Sequence, residues 1–260
     1  MSNMTSPNFW RERLRKYRHT GWADQTIYAY DQQERLALIE QAVQSSASKT
    51  GIAVDFGCGT GDFSRLLLRK GYTVCGYDPF VVPGIDSPRY TYAGTYGAIP
   101  FQHNEADIAI SVTVLDHILG PPEVSEALHN IRRSLKKGST FIMLEYALDS
   151  PSQRDGHLRP NGYQAFRTVE EWRSLLCQSS FRVVDVVAAP HPDFSPSNGY
   201  SAYSRSVFVR LRRRLPRILL PELWYHFLLR LIARKALGNH PVAQYHGTHS
   251  PLKLITSIAE

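Results

Sequence analysis

Cysteine is scarce in this chain of 260 residues: Cys58, Cys75 and Cys177 stand far apart. That spacing offers neither a disulfide framework nor a metal-ligand cluster, and it points to a reducing, cytoplasmic setting. No run reaches 18 apolar residues, so no helix is expected to span a bilayer. The opening stretch, "MSNMTSPNFWRERLRKYRHTG", lacks the apolar core of a secretory signal. Acids are nearly missing from the last fifth. Between residues 205 and 260 ten Lys and Arg face only Glu222 and Glu260, a local +8 within a net charge of +7. The rest of the chain is therefore close to neutral, and the basic character belongs to an appendage. Hydrophobic residues at 43% and charged residues at 20% suit one globular domain with an added element.

Along the chain, short apolar runs alternate with helical patterns. "GIAVDF" (51–56) reads as a buried strand that ends at glycines, and "DFSRLLLRKG" as a helix with Leu66, Leu67 and Leu68 inward and Gly71 at its end. Strands follow at 72–78, 89–94 and 106–115. "PPEVSEALHNIRRSLKKG" is a helix with prolines at its start and Val124, Leu128, Ile131 and Leu135 at helical spacing. A strand over 139–146 precedes "TVEEWRSLLCQSS", in which Thr168 and Glu171 form a capping-box pair. Strands at 181–189 and 204–212 complete a set of seven; the absence of a helix between them predicts an antiparallel last strand. The pattern predicts an α/β domain on a mostly parallel sheet. Residues 1–50 read as a helical lid region, 51–212 as the core, and 213–260 as a basic amphipathic extension.

Gly57, Gly59 and Gly61 lie between the first strand and its helix, where open α/β sheets bind ligands. Gly57 allows the turn, Gly59 a close approach of backbone to guest, and Gly61 the closing of helix on strand. Without Gly-Lys-Ser or Gly-Lys-Thr the turn is not a phosphate loop, and a dinucleotide fingerprint would place its third glycine at Phe63. Asp55 would repel a pyrophosphate but suits a guest with a cationic end. Asp78 ends the second strand, where such folds set an acid on ribose hydroxyls. Phe80, just after Pro79, offers either an apolar face for a purine or a buried anchor.

"VDFGCGTGDFS", the acid of "CGYDPF", "GAIPFQHNEADIAISVTVLDHI" and "LHNIRRSLKKGSTFIM" resemble, in order and separation, the motifs of class I S-adenosyl-L-methionine-dependent methyltransferases. The resemblance covers residues 51–212. It implies a Rossmann-like seven-stranded mixed sheet of order 3-2-1-4-5-7-6 with strand 7 antiparallel, and S-adenosylmethionine as cofactor. Asp55, Gly57, Cys58, Gly59 and Gly61 would surround its methionine part. Asp78, with Pro79 and Phe80 beside it, would face the ribose and adenine, and Ser111, Val112 and Thr113 would help enclose the methionine chain. Where the family sets an acid or amide for the adenine amino group this chain has Thr95, with the backbone from Tyr96 to Ala98 as the substitute.

Methyl transfer from a sulfonium is a displacement whose rate rests largely on positioning. A proton-bearing acceptor also needs a base, and His117, His157 and Asp116 are the candidates. Glu145, Tyr146, Arg154 and Tyr163, in the stretch after the fifth strand, and the N-terminal aromatics Trp22, Tyr28 and Tyr30 are candidate acceptor contacts. No Asn-Pro-Pro-Tyr element follows the fourth strand, and the acids of a metal-dependent catechol type cannot be assembled, so no metal is expected. The reading is a small-molecule methyltransferase, oxygen favoured over nitrogen; RNA, protein or a lipid-like acceptor are the alternatives. In the extension an apolar stripe from Leu219 to Leu237 is rimmed by Arg230, Arg234 and Lys235. It fits a helix packed on the domain or on a second copy of the chain, or a peripheral membrane anchor. Its basic and aromatic residues are not interleaved as nucleic-acid stacking needs.

Overall fold

The structure, a computed structural model, describes residues 7–17, 19, 25–78, 104–153, 164–189 and 251–260. Helices α1 (Pro7–Tyr17) and α2 (Gln25–Ser45) come first, then β1 (Gly51–Phe56), α3 (Asp62–Arg69) and β2 (Tyr72–Tyr77). β3 (Ala106–Val112) leads through a 3-10 turn, Leu115–His117, to α4 (Pro121–Ser134) and the long β4 (Leu135–Leu148). A 3-10 turn, Pro151–Gln153, a two-residue β5 (Arg167–Thr168), α5 (Val169–Gln178), β6 (Phe181–Ala188) and β7 (Leu252–Ala259) complete the described elements.

Neighbouring strands run β2-β1-β3-β4-β7-β6, with β5 paired to β4. β2, β1, β3 and β4 are mutually parallel, and β7 is antiparallel to β4. This is the Rossmann-like order expected from the sequence; the strand expected over 89–94 lies outside the described residues.

The antiparallel strand is a correction. It was expected over 204–212, also outside the described residues, yet the chain beside β4 is Leu252–Ala259. Residues 251–260 therefore belong to the sheet and not to the extension drawn over 213–260. The stretch "LKLITSIA" does not alternate apolar and polar residues, because nearly all of it is buried; a strand covered on both faces has no solvent side to mark. One compact unit comprises Met1–Thr20, Leu38–Val187 and Pro251–Glu260, and a second comprises Gly21–Ala37 and Ala188–Ser250. In the second, α2 carries an Arg35–Asp31 ion pair of 2.8 Å. The stripe from Leu219 to Leu237 lies outside the described residues. Among the described residues no helix is long and apolar enough to cross a membrane.

Local chemistry explains the element ends. Three successive leucines cannot share one helix face, since each residue turns about 100°. On α3 the inner face is Phe63, Ser64, Leu66 and Leu67, and Leu68 is only half-buried. Beyond it Gly71 takes φ +90°. α4 buries Val124, Leu128 and Ile131 as expected, but it stops at Ser134. Leu135 already pairs with Ala106, and Lys136 reaches Asp107 at 2.7 Å, so the chain enters β4 earlier than the sequence suggested. Inside, Phe56 stacks on Tyr77 and Phe141 meets Phe181, with centroids 5.0 and 5.2 Å apart.

At α5 both halves of the capping box form. The Glu171 N–H donates to Thr168 Oγ1 at 3.1 Å, and the Thr168 N–H to Glu171 Oε2 at 2.7 Å. Thr168→Ala is expected to cost about 1 kcal/mol, a fall of roughly 2–4 °C in Tm for a chain of this size. Thr168→Ser, which keeps the acceptor oxygen, should restore most of it. A Thr168→Ala protein melting like the wild type would show that the cap contributes nothing here.

Candidate functional site

The site is built on the carboxyl ends of β1, β2, β3 and β4. β1 ends in Asp55 and Phe56, both buried. The chain then turns through Gly57, Gly59 and Gly61, with φ of +78°, +48° and +77°. The Gly57 and Cys58 N–H groups donate to the Tyr77 carbonyl at 2.7 and 2.9 Å, and Gly61 N–H to Cys58 O at 2.7 Å. Asp78 Oδ2 accepts from the Gly59 N–H at 2.9 Å, tying the acid after β2 to the middle of the glycine turn.

Asp55 Oδ2 accepts a 2.5 Å hydrogen bond from Ser64 Oγ on α3. Burial lifts its carboxyl to about 7; the Ser64 hydroxyl opposes that rise, and the charges of Asp78 and Asp62 add to it. The Cys58 thiol is pushed far up by burial and then by Asp55 and Asp78, so it is no nucleophile. Cys58 serves the turn through its backbone.

The second wall is the turn after β3. Thr113 takes φ +52°, uncommon for a residue other than glycine, and its N–H donates to Leu144 O at 2.7 Å. His117, with a side chain 16% exposed, faces the ring of Trp10 edge-on at 4.6 Å between centroids. Its Nε2 lies 3.6 Å from Asp116 Oδ1. Asp116 is buried and accepts at Oδ2 from Gln164 Nε2 at 2.7 Å. Farther along α1 and beyond it, His19 is buried and its pKa is held down at about 4 by burial and by Arg13, against the pull of Asp62. The imidazole is thus neutral near pH 7.

Several candidate residues sit where the sequence suggested: Asp55, the three glycines, Cys58 and Asp78 share one turn, and Asp116 and His117 flank it across β3. Others have surroundings the sequence did not indicate, or lie outside the described residues. Ser111 is buried and its hydroxyl points beneath the turn, to Glu145 Oε1 at 3.3 Å. Glu145, expected as an acceptor contact, is wholly buried and its oxygens take backbone N–H groups of the same turn. Tyr146 packs edge-on against Phe166, and its carbonyl receives the Trp172 indole N–H at 2.9 Å. Val112 is buried at the end of β3. Tyr28 lies on the part of α2 that belongs to the second unit; so does Tyr30, whose side chain is outside the described residues, as are Trp22, Pro79, Phe80, Thr95, Ala98, Arg154, His157 and Tyr163.

Trp10, Ser64 and Gln164 were not anticipated. Ser64 follows the glycine turn by three residues, a spacing that a polar residue on an inner helix face could have betrayed. Trp10 sits in a basic stretch with nothing to tie it to His117, over a hundred residues away.

A methyltransferase-domain family model matches residues 23–186, more than half of the chain. The chain belongs to this family. Its sheet order is that of the class I, Rossmann-like methyltransferases dependent on S-adenosylmethionine. An uncharacterized methyltransferase of Geobacillus sp. (strain WCH70) is 28% identical over 138 residues, 48% of this chain and 64% of that protein. The match thus spans less than two thirds of the relative. Among solved structures, the 1,6-didemethyltoxoflavin-N1-methyltransferase of Burkholderia thailandensis superposes with TM-score 0.55 at 18% identity, over 71% of this chain and 80% of that one. It holds 1,6-didemethyltoxoflavin and S-adenosylhomocysteine. The complex of the Haloferax volcanii Trm112 methyltransferase activator with a methyltransferase gives TM-score 0.55 at 16% identity, over 89% of this chain and 94% of the matched one. At such identities the likeness carries the fold alone.

Proposed function

We propose that this protein binds S-adenosylmethionine and transfers its methyl group to a small-molecule acceptor by direct displacement. The observation that carries the reading is the Asp55–Gly61 turn tied to Asp78. The charges acting on the buried Asp55 come from two further acids, Asp78 and Asp62. Such a donor set suits a guest with an ammonium group and hydroxyls and is hostile to a phosphate. The residues present therefore fit this cofactor.

Asp55 and the backbone from Gly57 to Gly61 would hold the amino-acid end, and Asp78 the ribose. When bound, the cofactor supplies an electrophilic methyl carbon on a sulfonium. The chain's own part is to align the acceptor with that carbon, to keep water out, and to take a proton. Trp10 lies against His117 from the α1 side, a contact that would help to keep water from it when acceptor is bound. His117, beside Asp116, is the side chain that would accept a proton from the attacking group. That assignment favours an oxygen or amine acceptor, oxygen first.

Calorimetry with S-adenosylmethionine is expected to give a Kd in the low micromolar range, near −8 kcal/mol. Asp78→Ala should weaken it by roughly 1.5–3 kcal/mol. Asp78→Asn, which keeps an oxygen for the Gly59 N–H, should recover the turn but not the charge. Unchanged affinity in both variants would remove Asp78 from the donor site. Transfer of a labelled methyl group to a panel of hydroxyl and amine compounds, with products read by mass spectrometry, then identifies the acceptor atom; no transfer to any class despite donor binding would defeat the catalytic reading.

A further inference from the structure

The turn that carries Asp116 and His117 is gripped on both of its polar sides. Its N–H groups meet β4: those of Val114, Leu115 and Asp116 donate to Glu145 at 3.0, 3.0 and 3.3 Å. Its carbonyls are met by residues 164–167. Arg167 donates to Ile118 O at 2.7 Å, Leu115 O at 3.3 Å and Leu119 O at 3.4 Å. The Ala165 N–H donates to Asp116 O at 2.7 Å, and Gln164 Nε2 to Asp116 Oδ2 at 2.7 Å. Within the turn, the His117 N–H reaches Val114 O at 3.0 Å and the Ile118 N–H reaches Leu115 O at 3.2 Å. Bonds of this 3-10 type are too weak to fix so short a turn unaided.

Arg167 is suited to this task by its chemistry and placed for it by the fold. It is buried, and its pairing with Ala147 of β4 fixes its register. Its guanidinium carbon lies 5.0 Å from the centre of the Trp172 ring, and the Trp172 indole N–H is itself tied to Tyr146 O at 2.9 Å. A rigid planar fork with several donors can serve three carbonyls from one place, as an ammonium cannot. Without it the carbonyl of Ile118, a buried residue, would lose that donor. Gln164 acts on the Asp116 side chain instead. Asp116 Oδ1 makes no hydrogen bond among the described residues and lies 3.6 Å from the His117 ring. The Gln164 contact on Oδ2 therefore sets the rotation of that carboxyl group beside His117.

We propose that Arg167 and Gln164 are positioning residues: they hold the turn from Leu115 to Leu119 and the Asp116 carboxyl group so that the His117 imidazole keeps its place against Trp10. The inference rests on the reading of His117 as the proton acceptor of a methyltransferase site. It also gives β5 a purpose. A strand of two residues adds little to a sheet, but its register on β4 delivers Arg167 to the carbonyls of the turn.

Carbon–proton NMR spectra of the histidine rings in the full chain test the proposal. The His117 signal is the one lost in His117→Gln, and Trp10→Leu shows how far the Trp10 ring current displaces it. In Gln164→Met and Arg167→Met that displacement should largely disappear while the other histidine signals stay in place. Arg167→Lys, which can still donate to Ile118 O, should restore most of it. Labelled methyl transfer is then measured on whichever hydroxyl or amine compound the wild type methylates. Both methionine variants should lose kcat by about tenfold or more, with the KM for S-adenosylmethionine within about threefold of the wild type. Should all histidine signals of Arg167→Met collapse together, that variant has not folded, and Gln164→Met decides. An unmoved His117 signal in either folded variant, or a donor KM that rises as far as kcat falls, overturns the proposal. If the variants lose the displacement but the wild type binds no S-adenosylmethionine, the positioning stands and the functional reading falls; if the wild type binds and transfers while the signal is unmoved, the reverse holds.

Discussion

Gly57→Ala is expected to lower the melting temperature far more than the same change at Gly138. Both residues take left-handed backbone, at φ +78° and +84°, so alanine costs roughly 1–2 kcal/mol at each. A Cβ on Gly138 would meet nothing within 4 Å. On Gly57 it would lie 2.2 Å from Cγ2 and 2.6 Å from Cγ1 of Val114. Val114 cannot simply swing aside, because its N–H is held by Glu145. Overpacking of this kind adds roughly 1–3 kcal/mol, and the total, about 3 kcal/mol, corresponds to a fall of roughly 6–12 °C. Donor affinity should fall with it, since the displaced backbone is the proposed binding surface. Val114→Ala in the same chain should relieve the overlap and leave the backbone strain, a coupling of about 1–3 kcal/mol in a double-mutant cycle. Equal losses at Gly57 and Gly138, or no relief from Val114→Ala, would show that the close approach is unimportant.

That contact shows what a sequence can and cannot reveal about such a site. The glycine spacing was legible because left-handed backbone restricts residue choice at each position independently. The neighbour that makes Gly57 doubly necessary was not, since Val114 is one more valine in an apolar run. The same distinction runs through the fold. β1, β2 and β3 were legible as short buried runs ending at turn residues, and α4 and α5 through prolines, spacing and a capping box. β7 was missed because burial on both faces removes alternation, and because the surrounding basic stretch invited a reading as appendage. Sheet position, set by pairing with Tyr146 to Thr140 of β4, has no local signature in "LKLITSIA".

At the site, residues whose place is set locally sit where the sequence put them, and those whose place depends on packing do not. Asp55 and Asp78 follow from strand-end position. Glu145 looked like a pocket residue because a charged side chain beside a tyrosine suggests exposure. Its burial becomes understandable only with Ser111, Val114, Leu115 and Asp116 around it. Trp10 and Gln164 come from opposite parts of the chain and meet the Asp116–His117 pair only in the folded state, so neither could be paired with it from spacing.

Donor affinity is expected to rise with pH up to about 7 and then level off, with Asp55 as the cause. In the ligand-free protein the Asp55 carboxyl sits at about 7, against 3.8 for the ordinary side chain. Between those values the native state holds a proton that the unfolded chain has lost. Native stability therefore falls as pH rises through that window, by at most about 4 kcal/mol for a shift near 3 units. An ammonium group placed at Asp55 reverses the preference and favours the carboxylate. Binding below about pH 7 must then release a proton, and affinity should change by up to tenfold per pH unit there. Calorimetry in buffers of different ionisation enthalpy would read the proton directly. Asp55→Asn should abolish the slope, flatten the pH dependence of unfolding, and weaken binding at about pH 8 tenfold or more, the scale of a lost charge-assisted contact. A wild-type affinity that is flat from about pH 5 to 8, or an Asp55→Asn protein with the same slope, would place the amino-acid end elsewhere. Adenosine, which lacks the ammonium group, should bind without the slope in either protein, so the comparison assigns the proton to one end of the donor and to one carboxylate of the chain.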